Sequence, residues 1–167
     1  MSGVAVVPVQ EYLSTSYRPD CEYLDGTLLE RNVGEWDYSK LQARMIVYLT
    51  QLTLTEQIHV VPEQRVQVTS SRFWVPDVTV VAGREPREQI LTSPPFLCIE
   101  ILSREDRMTE MQERIDDYLR FGVPYVWVLD PRLKRAFAHT RTGVSQPSEV
   151  LQTDAPDLVV PLNALFS

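Results

Sequence analysis

Two acidic residues stand inside apolar runs of the chain, where a surface carboxylate is not expected. Asp77 follows Pro76 in VPDVTVV (75–81), and Glu100 lies at the centre of FLCIEIL (96–102). A buried carboxylate is costly unless a proton, an arginine or a metal ion neutralises it. If the two runs are neighbouring strands, both carboxylates can bind one Mg²⁺, which takes few carboxylates together with water and phosphate oxygens. The alternative is structural: Glu100 pairs with a buried arginine, and Asp77 only ends a bulge.

A metal ion held by such a pair favours one kind of chemistry. It can polarise a phosphodiester, stabilise the leaving oxygen and lower the pKa of an attacking water molecule. The pair therefore predicts phosphodiester hydrolysis with Mg²⁺ or Mn²⁺ as the cofactor.

The elements that must position these carboxylates follow from hydrophobic spacing and turn residues. Asp25-Gly26 predicts an N-terminal β-hairpin, and Ser39 with Gln42 predicts a capping box that begins a helix. Alternation along FLCIEIL puts Glu100 on a largely apolar face of a strand that is covered on both sides. The predicted helices are about 8–17, 39–56 and 106–121, and the predicted strands are 58–62, 64–68, 73–81, 96–102, 125–129, 135–140 and one near 158–160.

These elements predict an α/β fold of the α+β type, in which helices flank a central mixed sheet. A length of 167 residues with no repeat or linker favours a single domain over 1–167. Strands 58–62, 64–68 and 73–81 are expected to form a three-stranded meander.

Composition limits the function classes. The net charge of −7 argues against a protein that coats nucleic acid by bulk attraction, although bound cations can reverse the field in one cleft. Two cysteines, Cys21 and Cys98, and two histidines make a structural zinc site improbable. No apolar run approaches the roughly 20 residues that span a bilayer. The N-terminus has no basic segment of a signal peptide, so we expect a cytoplasmic protein with no membrane partner.

The ordered motifs resemble those of a known group of enzymes. Pro76-Asp77 followed by Glu100-Ile101-Leu102 is similar to the signature of the PD-(D/E)XK nuclease superfamily. EYLDGTLLER, VPEQRVQV, WVPDVTVV, PPFLCIEILSREDR and FGVPYVWVLDP together resemble a bacterial family of restriction-endonuclease-like proteins, over about residues 8–140. The resemblance implies a restriction-endonuclease-like core, a divalent metal and a nucleic-acid substrate, with DNA preferred.

The sequence departs from that pattern at the basic residue. The superfamily places a lysine two residues after the glutamate, where this chain has Leu102. In the resembling family a basic group lies on the following helix, four residues before a tyrosine, and here this position is Arg114, before Tyr118. Helical spacing puts Arg107 on the same flank. An arginine can clamp a phosphate but transfers protons poorly. The alternative is that both arginines are solvated and pair with neighbouring acids.

Two further positions bear on the site. Relatives carry a histidine where Tyr38 stands, and a tyrosine there can only hydrogen-bond. The superfamily often adds a third acidic ligand, for which this chain offers Glu22, Glu30, Glu35 and Glu63. We favour Glu63, because it is predicted to open a strand beside Asp77, although a solvated acid is the default for each of them.

The leading hypothesis is a metal-dependent endonuclease in which Asp77 and Glu100 bind the metal, with Glu63 as a third ligand, and Arg114 stabilises the phosphate. The alternative is a protein that keeps the nuclease fold but acts only in binding or scaffolding. The apolar stretch LVVPLNALF (158–166) is expected to form a homodimer interface.

Overall fold

The computed structural model of this protein describes residues 5–104 and 106–167. Its helices are α1 Val9–Ser14, α2 Trp36–Leu52, α3 Met108–Phe121 and α4 Leu162–Leu165. Its strands are β1 Cys21–Leu24, β2 Thr27–Glu30, β3 Ile58–Pro62, β4 Val66–Thr69, β5 Arg72–Trp74, β6 Val78–Ala82, β7 Leu97–Ile101, β8 Tyr125–Asp130, β9 Arg135–Thr140, β10 Gly143–Ser145, β11 Val150–Gln152 and β12 Val159–Pro161.

The centre of the fold is a six-stranded mixed sheet in the order β10-β9-β8-β7-β6-β3. Strands β7 and β8 are parallel, because α3 lies between them in sequence and returns the chain to the same edge. The other neighbours in this sheet are antiparallel. A second, antiparallel sheet has the order β2-β1-β5-β4, and β11 pairs with β12.

The central sheet is buried on both faces. Helix α2 packs on one face through Leu41, Met45 and Leu49, beside side chains of β6, β7 and β8. Helix α3 and part of the four-stranded sheet cover the other face, where Met111 and Ile115 join the second core cluster. All five residues of β7 are buried, as the apolar run around Glu100 predicts. The predicted α/β class, with a mixed sheet between helices, is confirmed.

The N-terminal hairpin is also confirmed. Strands β1 and β2 pair in antiparallel register, with Leu24 opposite Thr27. Asp25 and Gly26 have positive φ angles of 48° and 95°, as a tight two-residue hairpin turn requires.

The predicted strand 73–81 is wrong as one element, because the chain changes sheets within VPDVTVV. Strand β5 ends at Trp74 in the four-stranded sheet, and β6 begins at Val78 in the central sheet. Pro76 lies between them and has no backbone N–H for a ladder. The N–H of Val75 instead donates to the Glu22 carboxylate. The predicted meander is wrong for the same reason, since β3 pairs with β6 while β4 pairs with β5.

The predicted capping box is wrong as well. Helix α2 begins at Trp36, three residues before Ser39, and its N-cap residue Glu35 makes no side-chain capping bond. The amide of Gln42 donates to the backbone carbonyl of Asp77 at 2.9 Å. The Gln42 side chain, which the capping box would have used at the helix start, therefore makes a tertiary contact instead.

The C-terminal stretch lies in the core and does not form an exposed apolar face. Leu158, Val160, Leu162 and Leu165 are buried in the cluster that includes α2. The sequence argument for a dimer interface at 158–166 is therefore wrong, and a homodimer stays a prediction without that support. Among the described residues, no helix is long and apolar enough to cross a bilayer.

Candidate active site

Asp77 and Glu100 meet at one edge of the central sheet. The antiparallel register pairs Val78 with Ile99, so the next pair outward is Asp77 and Glu100. The carboxylate of Asp77 also accepts a hydrogen bond from the backbone N–H of Ile101 at 2.6 Å. Both acids are buried. The structure thus brings together the two carboxylates that the sequence singled out: Asp77 ends the segment in which the chain changes sheets, and Glu100 lies within β7.

Arg114 lies beside this pair and is buried. Its Nη1 donates to Oε2 of Glu100 at 3.1 Å, and its two terminal nitrogens bind both oxygens of Glu22, at 3.0 and 2.7 Å. Tyr118, one helical turn later, donates to the other oxygen of Glu100 at 2.7 Å. The prediction that Arg114 reaches the sheet edge from α3 agrees with this geometry, and the alternative of a solvated helix arginine does not.

Arg107 behaves differently from Arg114. It is exposed, as the N-cap residue of α3, and is not among the described side chains that line the cavity beside Asp77 and Glu100. Helical spacing failed here because the helix begins at Met108, so Arg107 does not follow the helical angle on which the prediction rests.

Glu22 is the acidic residue that joins the pair. It stands on β1, in the four-stranded sheet, and both of its oxygens contact Arg114. The sequence offered it as one of four candidates but favoured Glu63. The signal that could have identified it is strand alternation in CEYL, which puts this acid on the same face as Leu24; in the structure Cys21, Glu22 and Tyr23 are all buried.

Glu63 occupies another position. It follows β3, with a φ of +51°, and does not open a strand as predicted. Its carboxylate is 54% exposed and lies 3.4 Å from Arg31. Arg31 in turn contacts Asp77 at 3.2 Å. Among the described residues, the Glu63 carboxylate is therefore linked to the pair only through a guanidinium, although its backbone N–H donates to the backbone carbonyl of Asp77 at 3.3 Å.

Tyr38 completes the surroundings of Asp77. Its hydroxyl donates to Oδ1 of Asp77, the same oxygen that Arg31 contacts. Together with Glu22, Glu100 and Arg114, these residues line a cavity of about 210 Å³. We call it the carboxylate cavity.

The sequence matches the model of the Uma2 family, described as "Putative restriction endonuclease", over residues 9–165. The chain belongs to this family. No curated protein matches the sequence. A crystal structure of a "putative nuclease belonging to DUF820" from Anabaena variabilis has the same fold, with a TM-score of 0.83 and 21% identity, over 95% of this chain and 98% of that one. The restriction-endonuclease-like architecture predicted from the motifs is thus confirmed.

In this Uma2-family protein, the carboxylate cavity holds three buried carboxylates and two guanidiniums. Burial raises the pKa of Glu100 well above its usual value, although Arg114 opposes the shift. Burial likewise raises the pKa values of Asp77 and Glu22 against their hydrogen bonds and nearby arginines. Burial lowers the pKa of Arg114, but Glu100 and Glu22 outweigh it, so this guanidinium stays charged. If these five groups are all ionised, they carry one excess negative charge, and Glu30, Asp106 and Glu110, which also line the cavity, add to it.

Arg114 is held on its remaining sides by a second network. Its guanidinium carbon lies 4.6 Å from the ring centroid of Trp74, a cation–π distance. The indole N–H of Trp74 donates to the buried carboxylate of Asp117 at 2.7 Å, and Arg72 binds both oxygens of that carboxylate. This arrangement fixes Arg114 between an aromatic face and two carboxylates.

Proposed function

We propose that this protein is a divalent-metal-dependent nuclease that hydrolyses nucleic-acid phosphodiester bonds, with DNA as the preferred substrate. The observation that carries the proposal is the meeting of Asp77, Glu100 and Glu22 with Arg114 in one cavity at the edge of the central sheet. Membership of the restriction-endonuclease family supports the same reaction class.

The residues present fit a divalent cation. The cavity has an excess negative charge and offers carboxylate oxygens, which are the ligands that Mg²⁺ and Mn²⁺ prefer. Within the described residues, no set of three or more His, Cys, Asp or Glu side chains is arranged to hold a metal. Mg²⁺ is commonly bound by only one or two carboxylates, with waters and substrate phosphates as its other ligands. We assign Asp77 and Glu100 to it, and Glu63 as a third ligand remains a prediction.

When bound, the metal would supply an activated water molecule and charge stabilisation at the phosphate. The residues of the chain hold and orient the ligands. The N–H of Ile101 fixes one oxygen of Asp77, while Tyr38 and Arg31, both side chains, contact the other oxygen. Side chains can rotate away more readily than the backbone of a central strand, so this second oxygen is the one available for an ion.

Arg114 then has a role other than the predicted phosphate clamp. Its terminal nitrogens all donate to carboxylates of Glu22, Glu100 and Glu110. Only Nε, which is buried, has no protein partner. Arg114 therefore orients Glu100 and favours its ionised form against the effect of burial on the pKa of that carboxyl, and Leu102 supplies no basic group in its place. Arg31, whose contacts are longer, is the guanidinium better able to meet a substrate phosphate.

The test is a cleavage assay on supercoiled plasmid, single-stranded DNA and RNA with millimolar Mg²⁺ or Mn²⁺. We expect cleavage that EDTA abolishes and that Asp77→Asn and Glu100→Gln both remove. Asp116→Asn is the matched control, since Asp116 is exposed on α3 and contacts only Gln112. Cleavage by Asp77→Asn at the wild-type rate would refute the site assignment.

A binding or scaffolding protein is the second candidate, and one observation favours it. Each oxygen of Glu22, Asp77 and Glu100 already accepts at least one hydrogen bond from the protein. Buried carboxylates satisfied in this way can be purely structural. Nucleic-acid binding without cleavage of any of the three substrates would favour this candidate over the nuclease.

A further inference from the structure

A second cavity, of about 330 Å³, adjoins the carboxylate cavity, and we call it the flanking cavity. It lies where the parallel strands β7 and β8 end, between the loop before α2 and the loop before α3. Ligands of α/β sheets commonly bind outside the carboxyl ends of such strands. The two cavities share Asn32, Tyr38 and Ser103. A polymer bound at Asp77 and Glu100 would therefore continue into the flanking cavity.

Hydrogen bonds hold two walls of the flanking cavity in place. On one wall, the Asn32 amide donates to Ser103 at 2.6 Å and to Asp106 at 3.1 Å. On the other, the buried carboxylate of Asp130 accepts from the N–H groups of Arg132 and Leu133 at 3.0 and 3.1 Å. Asn32, Ser103 and Asp106 on one wall and the turn after Asp130 on the other are thus held by hydrogen bonds without a ligand, which lowers the entropic cost of binding.

The lining combines an apolar surface with exposed charges of both signs, from Glu35 and Asp37 on one side and from two arginines on the other. Leu102 is half-buried and occupies the position at which the superfamily places its lysine, so an apolar side chain replaces a charge beside Glu100. Arg104 and Arg132 are exposed at the same cavity. The protein ion pair of Arg104, with Glu35 at 3.4 Å, is solvent-exposed on both sides and therefore weak. A phosphate can compete for this guanidinium.

The geometry points to a site for one unpaired nucleotide, next to the bond that the nuclease cuts. The base would pack on Leu102 and Pro131, and Arg104 and Arg132 would bind the adjoining phosphates. The volume is at the small end of ligand sites, which span roughly 300–1,000 Å³. A base within a duplex is paired and stacked, so it cannot enter a side cavity without being extruded. The substrate is therefore single-stranded at this position. This inference rests on the proposed function and adds the substrate class to it.

Binding tests the inference without relying on cleavage. Fluorescence anisotropy with the Asp77→Asn protein compares a fluorescein-labelled 12-nucleotide single strand, the same sequence as a duplex, and a 12-unit abasic strand with the same phosphates. We expect the single strand to bind at least about tenfold more tightly than either competitor, because only its bases can enter the cavity. Affinity of the duplex or the abasic strand equal to that of the single strand would overturn the proposal.

Charge reversal locates the site. Arg104→Glu with Arg132→Glu should weaken single-strand binding at least about tenfold and lower the salt slope of log K by about one for each lost phosphate contact. Arg141→Glu is the control, since Arg141 is exposed after β9, at the opposite end of the sheet. Equal effects of the control and the double variant would overturn the site. Absence of cleavage in wild-type protein with these binding results intact would refute the nuclease function but not the nucleotide site.

Discussion

Removal of Arg114 should destabilise the protein in a pH-dependent manner. Arg114→Met keeps most of the side-chain length but removes one of two positive charges beside three buried carboxylates. With the three buried carboxylates, Arg31 and Arg114 all ionised, the net charge of these groups changes from −1 to −2. Loss of one partner from a buried ion pair costs about 3–5 kcal/mol, because the other charge stays buried without compensation. We expect a loss of that size in the free energy of unfolding at pH 8, without metal.

The pH dependence follows from the direction of the pKa shifts. The pKa values of Glu22, Asp77 and Glu100 are raised by burial, so their contribution to stability is complete below the unfolded values near pH 4 and is lost as pH rises through the folded values. Arg114 lowers the pKa values of all three acids, and its removal raises them further. The folded variant therefore binds more protons than the folded wild type, so its destabilisation grows as pH rises and should be smaller at pH 5 than at pH 8.

Urea denaturation, followed by the fluorescence of the buried Trp74 and Trp127 at both pH values in EDTA, measures the effect. Arg120→Met is the matched control, because Arg120 lies on the same helix, is 74% exposed and contacts only Asp117. We expect a change within about 0.5 kcal/mol for this control. A loss below about 1 kcal/mol for Arg114→Met at pH 8, or an equal loss at both pH values, would refute the charge balance described for the cavity.

Three further outcomes follow from the same contacts. Tyr118→Phe removes the hydroxyl that donates to Glu100, so unfolding experiments should show a loss of about 1–3 kcal/mol, and a loss near zero would contradict the hydrogen bond. Leu158→Ala should cost about 2–5 kcal/mol at any protein concentration, whereas Val159→Ala, at a partly exposed site, should cost far less; a concentration-dependent loss would restore the dimer interpretation. Millimolar Mn²⁺ should raise the melting temperature of the wild type and leave that of Asp77→Asn unchanged. The expected stabilisation is about 2.7 kcal/mol when the Mn²⁺ concentration is 100 times the dissociation constant. An equal rise in both proteins would place the metal elsewhere.

The sequence predicted strand β7 and the N-terminal hairpin correctly, because their signals are local and strong. The apolar run around Glu100 and the Asp25-Gly26 turn each have one favourable structural interpretation. The predicted position of Arg114 relative to Tyr118 also agrees with the structure, because both residues lie well inside a regular helix where the residue spacing is fixed.

Features that depend on long-range contacts were not predictable. The break within VPDVTVV follows from the pairing of β5 and β6 with different sheets, and alternation along one segment cannot show this. Glu22 lies 55 residues before Asp77 in the sequence, and only the packing of the four-stranded sheet against α3 brings it to Arg114. Glu63 stays a predicted ligand, but sequence spacing could not show that Arg31 lies between its carboxylate and Asp77.

The most direct test of the metal site is a crystal structure of the protein soaked in Mn²⁺, with anomalous scattering measured at the manganese edge. We expect one anomalous peak in contact with carboxylate oxygens of both Asp77 and Glu100, accompanied by displacement of Tyr38 or Arg31 from Asp77. Crystals of Asp77→Asn should lack this peak. A soaked wild-type crystal with Tyr38 and Arg31 still bound to Asp77, and no peak between the two carboxylates, would contradict the proposed metal site.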